Sequence, residues 1–161
     1  MLGEKRAYRV PPHSFLAEMA LLAVLLGDSA RYHYISAIVR PEDFADTKHA
    51  AIFSAIAKME TAGQHADAVL LHDHFAALEG LDAVGGADYL ARLAASFAPV
   101  VALPDYAHTV ADRALRRRLV QAGESLVDEA HTVTLEGTAV DILAAHVAGC
   151  QELGGHGGRR P

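Results

Sequence analysis

A single cysteine, Cys150, stands in 161 residues, which excludes an intrachain disulfide and a cysteine-rich zinc site. Such sparing use suits a reducing compartment, and a cytoplasmic location is expected. Positive charge is also short, with 14 Lys and Arg against 20 Asp and Glu and a net charge of -6. A surface of that sign repels a phosphate backbone unless its cations gather on one face, so direct DNA binding is not expected. Long apolar runs are missing: nothing approaches the roughly 20 residues that a membrane span needs. Basic residues do precede "SFLAEMALLAVLLGDSA" in the layout of an export signal, but Glu18 and the prolines at 11 and 12 fit that layout badly. A largely buried helix is the better reading. No run of alternating β-branched residues occurs before Pro99, which argues against a sheet. The pattern G-x-x-x-x-G-K-[ST] is absent too, so this chain is not expected to be an ATPase or another enzyme, and no cofactor or metal is assigned to it.

What is present is helical periodicity. With 52% hydrophobic residues there is enough apolar material for a core. Phe15, Leu16, Met19, Leu22, Val24, Leu25 and Leu26 make a first helix, with Ser14 as its N-cap and Glu18 on its remaining polar side. "SARYHYISAIV" reads as a short second helix stopped by Pro41. Ala51, Ile52, Ala55, Ile56 and Met59 recur at helical spacing from Thr47 to Thr61, and Gly63 closes that third helix. Asp67 can cap a fourth that carries Val69, Leu70, Leu71, Phe75 and Leu78. Gly85 and Gly86 precede a fifth, with Tyr89, Leu90, Leu93 and Phe97 on one face. "APVVALP" reads as a linker bracketed by prolines. The expected architecture is all-α: a small multi-helix globular domain over residues 1–100, then a long helical hairpin.

The hairpin is expected over residues 104–153, with a flexible, glycine-rich tail at 154–161. From Pro104 the sequence can run as one helix of about 28 residues, roughly 40 Å long. Its apolar stripe is Tyr106, Val110, Leu115, Leu119, Leu126 and Val127, with Gly123 a weak point. "VTLEG" turns the chain, and Thr138 with Asp141 forms a partial capping box for a last helix bearing Val140, Ile142, Leu143 and Val147. Such a hairpin leaves apolar surface that invites a second copy. Leu115, Leu119, Leu126, Ile142 and Leu143 are therefore the candidates for an oligomer or partner surface.

Three features could carry chemistry. Gly85 and Gly86 could cradle a phosphate at a helix N-terminus, yet they lack both the glycine spacing and the preceding strand of a nucleotide fingerprint, and a turn explains them better. His72 and Asp73 resemble the His-Asp couple of helical metal-dependent phosphohydrolases. His72 and His74 diverge by about 200° on a helix, so they cannot share an ion, and solvent-facing histidines are the plainer account. Arg113, Arg116 and Arg117 share a helix face while Arg118 points elsewhere. They are candidates for contact with nucleic acid or an acidic partner, although a carboxylate-paired face is the commoner outcome. Cys150 reads as a small packed residue.

In order along the chain, "RVPPHSFLAEMALLAVLLGD", "VRPEDFADTKHAAIFSAIAKM", "GLDAVGGADYLARLA" and "YAHTVADRALRRRLV" resemble successive landmarks of the N-terminal collar domain of the bacterial replicative DNA helicase, the DnaB family. The resemblance covers about Val10 to Asp128 and, weakly, the final helix. It implies a helical globule and a hairpin, with paired hairpins building the collar of a hexameric ring. Self-association as a dimer or a trimer of dimers follows, with primase, a helicase loader or the full-length helicase as further partners. ATP hydrolysis in that family resides in a following RecA-like domain, and the paired glycines there only start a helix. The chain would be a fragment of such a helicase or a stand-alone homologue. A His-Asp phosphohydrolase and a DNA-binding regulator using the arginine run are the alternatives, and neither explains the ordered landmarks.

Overall fold

A computed structural model describes residues 10–132 and 137–157, with side chains described as far as 153. Among the described residues there are seven helices, four short 3₁₀ turns and no strand. The fold is all-α. Helix α1 (Phe15–Gly27) starts where the Ser14 hydroxyl accepts the Ala17 N–H at 3.4 Å. Leu21, Leu22 and Leu25 are completely buried, each contributing about 1.5–3 kcal/mol through removal from water. Helices α3 (Thr47–Thr61), α5 (Gly86–Ala95) and α6 (Leu103–His131) pack around α1. Asp46 and Asp67 cap α3 and α4 (Ala68–Ala77), accepting the Lys48 N–H at 2.8 Å and the Val69 and Leu70 N–H groups at 2.9 and 2.8 Å.

Several local expectations are corrected. The second helix shrinks to a 3₁₀ turn, Ser29–Arg31, and the single-turn α2 (Tyr32–Ile35). Its sequence ends in "ISAIVRP", where β-branched residues weaken helix formation and Arg40, before Pro41, is extended at φ -121° and ψ 162°. Phe97 leaves the α5 face, because the helix stops at Ala95 and Phe97 is exposed. The expected linker contains a 3₁₀ turn, Val100–Ala102, that leads directly into α6, whose early proline is tolerated because its missing N–H is unneeded there. Glu18, expected on a polar side, is buried.

Helix α6 continues unbroken through Gly123. The expected turn at 133–136 lies outside the described residues. Thr138 and Asp141 form a reciprocal cap for α7 (Ala139–Gly157): the Thr138 N–H donates to the Asp141 carboxylate at 2.9 Å, and the Asp141 N–H to the Thr138 hydroxyl at 3.3 Å. The Thr138 hydroxyl also donates to that carboxylate, and this bond, with the one from the Thr138 N–H, holds the Asp141 carboxyl below its usual pKa. Helix α7 runs to Gly157, four residues into the segment expected as a tail. The core takes Leu103, Ala107 and Val110 from α6, and Ala114 is the last buried residue among those described.

Candidate functional site: the helical arm

Spacing decides where α6 leaves the globule. Leu103, Ala107, Val110 and Ala114 recur every three or four residues and face the core. Just beyond them, Arg117 donates to the backbone carbonyls of Pro12 at 3.0 Å and Asp43 at 2.6 Å. Arg118 donates to the Asp43 carboxylate, whose other oxygen accepts the Arg40 N–H at 2.9 Å. Asp43 is buried, so these charge-assisted bonds hold the base of the arm to the 3₁₀ turn Pro41–Asp43.

Past this clamp, α6 packs against α7 among the described elements. Ile142, His146 and Leu153 are the half-buried residues of α7, and their spacing of four and seven is one helical stripe. His146 Nε2 lies 3.2 Å from Glu129, which also accepts from the Ser125 hydroxyl at 2.6 Å. These contacts, Ser125 first, hold the Glu129 carboxyl below its usual pKa. The His146 contact joins the two helices at this level.

One stripe from each helix does not exhaust the apolar residues. Leu119, Val120 and Val127 of α6 and Val140, Leu143 and Val147 of α7 are exposed. At about 100° per residue they follow the mutually packed stripes by up to half a turn in the same rotational sense. Because the helices run antiparallel, that sense leads to the same side of the hairpin. Of the five candidates, Leu119 is 48%, Leu126 36% and Leu143 59% exposed, whereas Leu115 and Ile142 are half-buried. Cys150, expected to be packed, is exposed instead.

The arginine run divides differently from the expected face. Arg113 and Arg116 both bind Asp112 at 2.8 Å, but Arg117 turns with Arg118 toward the globule. The reason is the buried acceptor pair on Asp43, which a helical wheel does not display.

The paired glycines have no backbone donors to spare. The Gly85 N–H donates to Asp82 at 3.1 Å and the Gly86 N–H to Leu81 at 2.9 Å. Both have positive φ, +89° and +80°, where L side chains are strained. They turn the chain. A Cβ on Gly85 would sit 3.0 Å from the Tyr89 side chain, so the turn closes tightly over that ring.

Tyr89 belongs to a buried chain that the sequence reading missed. Glu18 accepts the Ala45 N–H at 2.7 Å, the Asp46 N–H at 3.3 Å and His49 Nδ1 at 2.7 Å. A carboxylate only accepts, so Nδ1 carries the proton. His49 Nε2 then meets the Tyr89 hydroxyl at 2.5 Å. Burial, together with the charge of Asp46, raises the Tyr89 pKa. The signal available in sequence was Glu18 inside an otherwise apolar helix, since a buried charge demands partners. His49 corrects the expectation of solvent-facing histidines; it is buried. His72 lies 3.1 Å from Asp73 at the surface. No group of three His, Cys, Asp or Glu among the described residues could hold a metal ion.

Comparison with known proteins agrees with this architecture. The family model of the DnaB-like helicase N terminal domain matches residues 10–112. The replicative DNA helicase DnaB of Geobacillus stearothermophilus is 32% identical over 142 residues, 88% of this chain and 31% of the relative. That of Rickettsia conorii is 31% identical over 149 residues, 92% of this chain and 30% of the relative. The chain thus spans under a third of these curated relatives. The crystal structure of the N-terminal domain of DnaB helicase from Mycobacterium tuberculosis has a TM-score of 0.81 at 27% identity, covering 89% of this chain and 99% of that one. A structure of a DnaB-like replicative helicase and its interactions with primase shares the fold, with a TM-score of 0.71 at 20% identity over 88% of this chain and 32% of the other. The family model and the Mycobacterium tuberculosis structure are both of the N-terminal domain. The chain belongs to the DnaB-like helicase N-terminal domain family.

Proposed function

We propose that the chain serves DNA replication as a non-catalytic assembly and docking domain of a replicative helicase, pairing its arm with the arm of a second copy. The carrying observation is the exposed apolar side of the hairpin, made by Leu119, Val120 and Val127 with Val140, Leu143 and Val147. A two-helix arm cannot cover that side itself, and an isologous contact buries the same stripe on both copies at once. Paired arms would build a dimer, and three dimers would close a collar. The globules would then be presented to primase or a loader, a role supported by the fold shared with a helicase known in its interactions with primase. The arginines favour a protein partner over DNA, because Arg113 and Arg116 bind Asp112 and the next two bind the globule.

Native mass spectrometry tests the pairing. The unaltered chain should give a dimer or a multiple of one, and Leu119→Glu combined with Leu126→Glu should give monomers that keep their helicity. The thiol of Cys150 should react faster in that variant than in the parent. An unchanged mass in the variant refutes the arm-to-arm contact.

A further inference from the structure

Helix α4 has an unusual outer side. Its inner side is Leu71 and Phe75, both buried. Opposite them lie Val69, Leu70, Asp73, Ala76 and Ala77, all exposed, with Val69 at 68%. Leu78, the next residue, is 65% exposed. A surface helix ordinarily puts mostly polar and charged residues outward, whereas here Asp73 is the one charged residue among apolar ones. Among the described elements only α3 and α5 pack closely against α4, and neither covers this side.

Charge narrows what would cover it. From Met59 to Ala91 the sequence contains no Lys or Arg but has Glu60, Asp67, Asp73, Glu79, Asp82 and Asp88. Glu60 is buried, and the other five are exposed. Asp73 has His72 as its neighbour at 3.1 Å, and Asp67 accepts the two N–H groups that it caps. A face with Asp73 at its middle and apolar residues on either side, on a segment whose fixed charges are all negative, is complementary to an amphipathic helix that combines leucine-type anchors with Lys or Arg.

We propose that the outer face of α4 is a docking surface for a basic amphipathic helix of a partner protein. The face lies on the globule and its argument does not depend on how the arms pair. Complementarity of this kind sets specificity and association rate, while the apolar anchors supply most of the affinity.

The probe is a synthetic helical peptide of about five turns with a leucine stripe and a lysine rim. Its counterpart carries glutamate in place of every lysine. Fluorescence anisotropy on the full chain should show binding of the lysine peptide alone, weakening as salt rises. Val69→Ser with Leu70→Ser should weaken it by about tenfold or more, and Asp73→Lys should weaken it while improving the glutamate peptide. All three positions are exposed, so circular dichroism should be unchanged. Equal binding of the two peptides, no binding, or retained affinity in the serine variant overturns the proposal. So does a changed subunit mass in that variant, which would make this face a contact between copies.

Discussion

Replacing Glu18 with alanine should be among the most damaging single changes in the globule. The carboxylate receives three donors, the N–H groups of Ala45 and Asp46 and Nδ1 of His49, at a site where Glu18 is 1% exposed. Each donor left without an acceptor costs about 1–3 kcal/mol, the lower end applying to the two half-buried backbone groups. Together these give about 3–5 kcal/mol, the size found when one partner of a buried pair is deleted. For a chain of this length that lowers the melting temperature by about 6–20 °C. Glu18→Gln keeps the volume and one acceptor oxygen, and should cost about 1–3 kcal/mol. Urea unfolding followed by far-ultraviolet circular dichroism measures both. A loss below about 1 kcal/mol for alanine would mean that water reaches all three donors, and the reasoning from burial would fail.

Two further substitutions separate effects that sequence alone confounds. Gly85→Ala and Gly86→Ala both place a side chain at positive φ, which costs about 1–2 kcal/mol, but only at Gly85 does the added Cβ meet a neighbour, the Tyr89 side chain at 3.0 Å. Gly85→Ala should therefore be the more destabilising by urea titration, and equal losses would show that Tyr89 yields freely. Burial by itself would raise the Glu60 pKa, yet the Ser29 hydroxyl, the His65 hydrogen bond and the charges of His65 and His33 hold it below the usual 4.5. A depressed carboxyl contributes stability above its unfolded pKa and loses it as pH falls through the folded value. The stability gap between the unaltered chain and Glu60→Gln should thus be wider above about pH 4.5 and narrow as pH falls below it. A gap that stays constant across that window would show that these contacts do not act on the carboxylate.

Helix boundaries were legible wherever a capping side chain met regular apolar spacing. Asp67 marks the start of α4, and α3 runs from Thr47 to Thr61 as the spacing indicates, although its cap, Asp46, was not read from the sequence. The paired glycines were legible as a turn for the same local reason. What was not legible depends on residues distant in sequence: Glu18 with His49 is separated by 31 positions, and Arg117 with Asp43 by 74. Helical periodicity places a residue on a face but does not say which backbone carbonyl or carboxylate waits there. The same gap explains the arm candidates. Leu115 and Ile142 belong to the apolar stripes, but where one helix covers another depends on the hairpin register, in which His146 meets Glu129.

The globule and the arm are completed by different physics. In the globule, apolar helices close around α1, and the carboxylates they trap, Glu18, Asp43 and Glu60, are satisfied by the chain itself. In the arm, no described residue beyond Ala114 is buried, so its helices have only their mutual stripe as the tertiary packing that supplies most helical stability in proteins. A second arm laid on the apolar side would add to it. If the arms pair as proposed, arm order and association would be one coupled equilibrium, in which ordering the helices raises affinity and pairing orders the helices. The Asp43 clamp then matters beyond its own bonds. By fixing Arg117 and Arg118 to the globule it directs the apolar side at a set angle to the domain, so that paired arms fix where two globules stand relative to each other.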